Sequence, residues 1–295
     1  MPQTESWTIG RLLEWTSGFL RDKGADSPRL DAEVLLAEAL GCRRIDLYTK
    51  FAEEPSEPAR TAFRAFVKRR AEGMPVAYLV GRREFYSLSF RVTPDVLIPR
   101  PETEFLVITL LDHAKELSSE SKKALEIVDI GTGSGILAIC AAKYVEDARV
   151  TAVDVSPAAL AVAQSNAADH SVAERIAFVE SDLFAAVPAG GKFDFVLSNP
   201  PYITTAEMEQ LPADVARYEP HLALAAGSQG TEVIERLLPQ AADRLRPGGW
   251  LLMEISPTIE PAVMRLAAAE ARFEAAETRK DLSGLARVVQ LRRKA

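Results

Sequence analysis

The sequence predicts a two-part protein, a small all-helical unit followed by an α/β unit in which helices cover both faces of a parallel sheet. Three observations predict it. Over residues 7–72 the apolar positions recur at helical spacing. From Ala124 onward, short apolar runs rich in branched residues alternate with stretches of helical pattern. Between the first of those runs and its helix lies DIGTGSG, a glycine-rich turn of the kind that seats a ligand beyond the carboxyl ends of parallel strands.

The elements follow in order. Ile9, Leu12, Leu13, Thr16, Phe19 and Leu20 mark one face of a first helix. SPRLDAEVLLAEALG opens a second with a Ser-Pro start signal, pairs Leu30 with Val34 and Leu36 with Leu40 four residues apart, and stops at Gly41. EPARTAFRAFVKRRAEG makes a third, ending at Gly73. EFYSLSFRV then alternates apolar and polar residues as one strand, and VTPD followed by VLI predicts a turn and a return strand, so a hairpin links the two parts. The prolines of IPRPETE (Ile98 to Glu104) end the hairpin, and its acidic residues open a helix through FLVITLLDHAKEL.

Four parallel strands are predicted at ALEIVDI, ARVTAVDV, IAFVES and FDFVLS, with helices at ILAICAAKYV, PAALAVAQSNAA and TEVIERLLPQAADRL. GWLLMEI follows a PGG turn as a fifth strand, and RFEAAETRKDLSGLARVVQLRR predicts two more about a DLSG turn, closing the sheet's edge. The expected boundaries are residues 1–75 for the helical, substrate-docking domain, 76–99 for the hairpin linker and 100–295 for the ligand-binding α/β domain.

Totals narrow the function. The 295 residues are 47% apolar and 26% charged, enough for two modest cores. The N-terminal MPQTESWTIG lacks a basic segment followed by an apolar run, and no uninterrupted apolar stretch reaches about 18 residues, so a cytoplasmic location without membrane insertion is expected. Cys42 and Cys140 are expected to be reduced. His113, His170 and His221 are scattered without ligand spacing, so no metal site is expected. A net charge of −7 argues against a protein that coats nucleic acid, and no stable nucleic-acid binding is expected. One basic run stands apart: Arg60, Arg64, Lys68, Arg69, Arg70, Arg82, Arg83 and Arg91 fit either a solvated face or a docking patch.

Two motifs carry chemistry. In DIGTGSG, Gly131, Gly133 and Gly135 allow backbone angles and close approaches that a Cβ would block, and Thr132 and Ser134 lie between them. The spacing is GxGxG, neither the GxGxxG of hydride-transfer enzymes nor a phosphate loop with its Lys-Ser/Thr. Asp129 sits at the end of the first strand, Asp154 at the end of the second and Asp182 after the third. Asp154 is placed to accept hydrogen bonds from ribose hydroxyls. Three acids would repel phosphates, so a nucleoside with an amine-bearing tail, S-adenosyl-L-methionine, fits.

The fourth strand runs into Asn199-Pro200-Pro201-Tyr202, which resembles the [Asn/Asp/Ser]-Pro-Pro-[Tyr/Phe/Trp] signature of methyltransferases acting on a planar nitrogen. Such a nitrogen shares its lone pair with the neighbouring π system and is a poor nucleophile until held. The Asn199 side-chain oxygen and the Pro200 carbonyl can each accept one of its N–H groups, the prolines stiffen the backbone that presents the carbonyl, and Tyr202 can lie against the flat face of the acceptor.

Which nitrogen is methylated is a matter of resemblance. SPRLDAEVLLAEALG, GMPVAYLVGRREFYSLSFRVTPDVLIPRPETEFLV, DIGTGSG, SNPPYI, YEPHLAL, LRPGGWLLMEI and DLSGLARVV together resemble the protein-(glutamine-N5) methyltransferase (HemK/PrmC) family that modifies class I peptide chain release factors. The resemblance spans nearly the whole chain. It implies a seven-stranded, mostly parallel, Rossmann-like class I methyltransferase domain preceded by the helical domain. The implied substrate is the glutamine of the release factor's Gly-Gly-Gln tip, acted on by a monomer. By the family's motifs, Asn199, Pro200, Pro201 and Tyr202 hold the glutamine amide and Phe85 lines the site. Asp129, Gly131 to Gly135, Asp154, Asp182, Leu183 and Asn199 serve the cofactor.

Arg100 and Glu102 in IPRPETE also match a family signature and are expected beside the cofactor's methionine end or the interdomain seam, though an ordinary proline-bounded helix start explains them almost as well, while Glu219, Pro220, Asp281 and Arg287 match family positions to which the sequence gives no role. In MEISPTIEPAV, Glu254 is kept, while Ser256, Ile259 and Glu260 replace the family's Gly, Gln and Gly, leaving the helix start after the fifth strand open. Two other readings stand beside this one: an adenine-N6 nucleic-acid methyltransferase with the same NPPY geometry, and a non-catalytic factor that docks on the translation machinery.

Overall fold

A computed structural model describes residues 6–120 and 123–295. The chain forms two compact units, Met1–Arg82 with Ala213–Tyr218, and Arg83–Pro212 with Glu219–Ala295.

The first unit holds helices α1 (Ile9–Asp22), α2 (Pro28–Leu40), α3 (Arg44–Thr49), α4 (Glu57–Ala71) and α5 (Val76–Val80). Thr8 caps α1 by accepting from the Arg11 N–H, and Gly41 ends α2 in the left-handed region at φ 62°. Leu13, Leu20, Leu35, Leu36, Leu47 and Phe63 fill its core. Helices α3 and α5 were not anticipated, because six and five residues are too short to display a helical period. The basic run is largely neutralised where it lies. Arg60 reaches Glu54 and Glu57, Arg64 reaches Glu57, Arg70 reaches Asp31 and Arg82 reaches Glu38, and in the second unit Arg91 reaches Asp169.

The hairpin differs from the sequence expectation. Strands β1 (Arg82–Phe85) and β2 (Leu88–Arg91) both come from EFYSLSFRV and its approach, with the turn at Tyr86 and Ser87, where φ is 48° and 60°. Positive φ at both central residues is the geometry of a tight primed turn, here built without glycine, so no turn signal interrupts the alternation. VLI forms no strand.

The second unit then continues through α6 (Glu104–Glu120), β3 (Glu126–Ile130), α7 (Ile136–Tyr144), β4 (Arg149–Asp154), α8 (Pro157–Asp169), β5 (Ile176–Glu180) and β6 (Phe193–Ser198). After β7 (Ile203–Thr204) and α9 (Thr205–Met208), α10 (Ala213–Tyr218) belongs to the first unit, where the Tyr218 hydroxyl donates to the Glu72 carbonyl at 3.2 Å. Next come α11 (His221–Leu224), β8 (Ala225–Gly227), α12 (Glu232–Arg244), β9 (Leu245–Glu254), α13 (Glu260–Ala269), β10 (Glu277–Lys280) and β11 (Ala286–Arg292).

The seven-stranded sheet has the order β10-β11-β9-β6-β3-β4-β5, parallel from β9 to β5 and antiparallel at β11 and β10. Alternate residues feed the two faces. Ile127, Ala152, Phe195 and Leu252 pack with α6, α7 and α8, while Val128, Val153, Val196 and Leu251 pack with α12 and α13. The chain steps outward from β3 to β4 and β5, then returns to lay β6 on the other side of β3, which makes a topological switch between β3 and β6. Ligands bind outside the carboxyl ends of the strands at such a point. Register sharpens this: Ile130 lies beside Val153 on one flank and Ser198 on the other, so the DIGTGSG turn, Asp154 and NPPY leave one edge side by side.

Candidate active site

At that edge opens a cavity of about 280 Å³, near the lower end of the range of roughly 300–1,000 Å³ common for ligand pockets. Its wall takes in Gly131, Thr132, Gly133, Ser134, Asp154, Asp182, Leu183, Asn199, Pro200 and Pro201. These ten expected site residues therefore meet in one place. Asp129, Gly135, Phe85 and Tyr202 do not line it.

The glycine turn is held by its neighbours' backbone and by two acids. The N–H groups of Gly131 and Thr132 both donate to the Val153 carbonyl at 2.9 Å. Asp129 is fully buried and accepts from the Thr132 hydroxyl at 2.6 Å and from the Ala138 N–H at 3.2 Å. Burial pushes its carboxyl up to about 7 against those two hydrogen bonds. Asp154 accepts from the Gly133 N–H at 2.8 Å and the Ser156 N–H at 3.0 Å, one on each oxygen, which leaves each oxygen further acceptor capacity.

The three glycines do different things. Gly131 and Gly133 lie at φ 75° and 55°, and a Cβ on either would meet no atom within 4 Å, so both turn bare backbone toward open space. Gly135 is the N-cap of α7, where a Cβ would come within 3.1 Å of Ala163 and Ile139. It serves helix packing.

Beyond β5, Asp182 does not stand alone: Arg236 from α12 reaches its carboxylate at 2.5 Å. Leu183 follows at φ 51°, a left-handed conformation uncommon for a leucine, on the cavity wall. Strain of that kind is concentrated at ligand sites.

On the opposite wall, Ser198 ends β6 by donating its hydroxyl to the Ile130 carbonyl at 2.8 Å, tying the start of NPPY to the start of DIGTGSG. Asn199 donates from Nδ2 to the hydroxyl of buried Thr103 at 3.4 Å, which leaves its Oδ1 to accept from a ligand. Tyr202 is half-buried, packed against the core that holds α12 and α13. Burial and the neighbouring Glu254 raise its hydroxyl to about 12, so it stays protonated. Phe85 is taken up by the opposite core, edge-on to Phe90 at 6.2 Å.

Several supporting contacts were not legible in the sequence, including those of residues it singled out without being able to pair them. Glu219 is buried, pairs with Arg100 at 2.6 Å and accepts from the Ile98 N–H at 3.4 Å, clamping IPRPETE to YEPHLAL. Asp281 holds Arg287 at 2.8 Å and caps its own turn through the Ser283 and Leu285 N–H groups, and Arg287 also lies 3.9 Å from Glu102. Gly230, at φ 78°, lets the chain pass the Tyr202 carbonyl, which a Cβ would approach to 2.9 Å. Helix α13 starts at Glu260 with Pro261 in its first turn, which settles the helix start left open by MEISPTIEPAV.

Comparison with known proteins agrees with this geometry. The PrmC N-terminal domain family matches residues 11–81, and the Methyltransferase small domain family matches residues 103–215. A protein of Rhodopirellula baltica named release factor glutamine methyltransferase is 47% identical over 97% of each chain. Its namesake in Geobacter sulfurreducens is 42% identical over 85% of each. The chain belongs to the release factor glutamine methyltransferase family.

It is accordingly a methyltransferase. Solved structures share the fold: the RsmC methyltransferase of T. thermophilus, in complex with AdoMet and guanosine, is 19% identical with a TM-score of 0.52 over 72% of this chain and 50% of that one. The hMettl16 catalytic domain in complex with an RNA hairpin is 15% identical with a TM-score of 0.53 over 79% of each.

The residues present fit the methyl donor such enzymes use. Gly131 and Gly133 provide a cradle that a side chain would fill, and Asp154 has acceptors for ribose hydroxyls. The two arginines on the wall, Arg100 and Arg236, are each engaged by a carboxylate, which suits a ligand without phosphates.

Proposed function

We propose that this enzyme transfers the methyl group of S-adenosyl-L-methionine to the side-chain amide nitrogen of the glutamine in the Gly-Gly-Gln tip of class I peptide chain release factors. The observation that carries the reading is the meeting of NPPY and DIGTGSG at one strand edge, within a chain whose relatives bear the release factor name. A monomer working in the cytoplasm suits that substrate, and no helix among the described residues is long and apolar enough to cross a membrane.

When bound, the donor supplies an electrophilic sulfonium methyl. The chain supplies alignment. Gly131, Gly133 and Asp154 hold the nucleoside, with Asp182 and Leu183 bordering it. Asn199 Oδ1 and the Pro200 carbonyl each accept one N–H of the glutamine amide, which turns the nitrogen's remaining face toward the donor. Pro200 and Pro201 have their φ fixed by their rings, so the carbonyl is presented without an ordering cost. Tyr202 backs the acceptor, and Phe85 supports the site from the core beneath. A strong general base is unnecessary, because the nitrogen loses its proton readily once it has become cationic.

The test is mass spectrometry of a purified release factor incubated with this protein and S-adenosyl-L-methionine, beside a copy with the tip glutamine changed to alanine. A gain of one methyl on the tip peptide of the first and none on the second is expected. Methyl incorporation into adenine of nucleic acid, with none into release factor, would replace this reading.

A further inference from the structure

Beyond the cavity, the edge from which it opens carries apolar surface that neither the donor nor a glutamine side chain reaches. Among the described residues of the second unit, the large apolar side chains left exposed are Tyr144, Val155, Leu222, Leu282 and Leu285. Tyr144 rests edge-on to Tyr86 at 5.3 Å. Val155 and Leu222 line the cavity itself. Leu282 is wholly exposed, Leu285 is 45% exposed, and neither lines it.

Both leucines stand at the same edge as the cavity. Strand β11 runs antiparallel to β9, and its Val288 lies beside Glu254, the last residue of β9, so the turn that leads into β11 projects past the carboxyl ends of the parallel strands. Met253 of β9 lies beside Ser198 of β6 in turn. The turn is therefore two strands across from NPPY, about 10 Å at the usual strand spacing. Arg287 joins it to the rim: it holds Asp281 at 2.8 Å and lies 3.9 Å from Glu102, in the segment whose Arg100 and Thr103 line the cavity.

The turn that presents the leucines is braced from within. Asp281 Oδ1 accepts from the Ser283 N–H at 2.8 Å and the Leu285 N–H at 3.0 Å, and the Asp281 N–H donates to the Leu285 carbonyl at 2.8 Å. Gly284, at φ 79°, closes the turn by donating to the Asp281 carbonyl at 3.0 Å. Such a turn loses little conformational freedom when it is covered, and covering a leucine held in water is favourable.

We propose that Leu282 and Leu285 form a docking knob for the folded body of the protein acceptor, seating in an apolar depression of the release factor beside its tip. The reaction decides the occupant. A glutamine that enters the cavity as part of a protein brings its flanking surface over the edge from which the cavity opens. A standard interface covers about 800 Å² on each partner, roughly 30 Å across, so a turn about 10 Å to the side of NPPY falls inside that footprint. NPPY recognises an amide, and the knob recognises the protein that carries it.

The inference rests on the proposed acceptor, and the experiment separates the two. KM and kcat on purified release factor, cofactor affinity by calorimetry, thermal melts and sedimentation would be measured for the wild type, Leu282→Ser and Leu282→Asp. Because Leu282 is wholly exposed, both variants should melt with the wild type. KM for release factor should rise about fivefold in Leu282→Ser and about tenfold or more in Leu282→Asp, which sets a charge where an apolar group is to be buried, with kcat and cofactor affinity within about twofold. A turn that served the fold alone would not split KM from kcat in this way. An unchanged KM in Leu282→Asp, with methyl transfer intact, overturns the knob alone. A fall in kcat or cofactor affinity as large as the rise in KM also overturns it, since the turn would then act on the cavity. A wild-type dimer that Leu282→Asp dissociates with KM unchanged overturns it as well and gives the knob to a second copy of this chain. No methyl transfer from the wild type to release factor overturns the proposed acceptor and the knob with it.

Discussion

The two walls of the cleft are held in different ways. The donor wall is built mostly from its own neighbourhood: apart from Asn166 of α8 on the Ser134 carbonyl and the shared Ser198 bond to Ile130, the polar contacts fixing DIGTGSG come from the turn itself, from the start of α7 or from the adjacent end of β4. The acceptor wall is held from a distance, by Thr103 on Asn199, Ile130 on Ser198 and the gap at Gly230 beside Tyr202. A locally braced loop is legible as a motif and robust. A remotely braced one carries its specificity in residues that no motif names.

Each wall also buries one carboxyl, Asp129 and Glu254, both raised to about 7. This gives the largest expected effect. Below the ordinary value of 4.5 for Glu254 the native and unfolded chains are both protonated, and between 4.5 and about 7 only the native chain keeps the proton. Stability contributed by Glu254 is thus present at low pH and lost as pH rises to about 7, by roughly 3 kcal/mol at about 1.4 kcal/mol per unit. Urea unfolding at pH 5 and pH 8 should show Glu254→Gln losing less stability than the wild type by about that amount. Asp129 contributes equally to both proteins and cancels. Parallel losses would mean that Glu254 is not raised.

Next in size are the single-residue tests of each wall. Asn199→Ala should cut turnover on the order of a hundredfold or more and leave cofactor affinity within a few fold, since the lost acceptor acts at the reacting nitrogen. Equal loss of both would contradict a role confined to the acceptor wall. Asp154→Ala removes a carboxylate that braces Gly133 and is placed for ribose hydroxyls, so calorimetry should show cofactor binding weakened about ten- to a hundredfold, the worth of one or two charge-assisted hydrogen bonds. Unchanged affinity would take Asp154 out of the donor site.

The contrast between walls explains what could be read in advance. Five parallel strands, two antiparallel ones, the glycine turn and NPPY were legible because each is a short-range pattern: apolar runs, fixed spacing, adjacent prolines. The turn at Tyr86 and Ser87 was not, because both residues take positive φ without the glycine that normally announces it. Arg100 and Glu219 are 119 positions apart, and nothing in either segment requires the other until the fold brings them to 2.6 Å. Asp182 entered the sequence argument as one of three acids that would repel phosphates, and its partner Arg236, 54 positions on, was out of sight for the same reason. Gly135 looked like its two companions in the motif, and only the approach of Ala163 separates its work from theirs.

The smallest effect sharpens the comparison most directly, through one added methyl group on each wall. Gly133→Ala and Gly230→Ala both place a Cβ at positive φ, 55° and 78°, so both should lose about 1–2 kcal/mol of stability from backbone strain. Their functional consequences should separate. At Gly133 the new methyl meets nothing of the protein and enters the space assigned to the donor, so cofactor affinity should fall several fold while turnover at saturating cofactor holds. At Gly230 it presses on the Tyr202 carbonyl at 2.9 Å and on Thr204 at 3.2 Å, so turnover should fall several fold while cofactor affinity holds. Thermal melts, calorimetry and saturating kinetics on the two variants measure all three quantities. If both variants weakened cofactor binding and turnover together, the walls would not be independently braced, because a shift in one loop would have crossed the Ser198 to Ile130 hydrogen bond into the other.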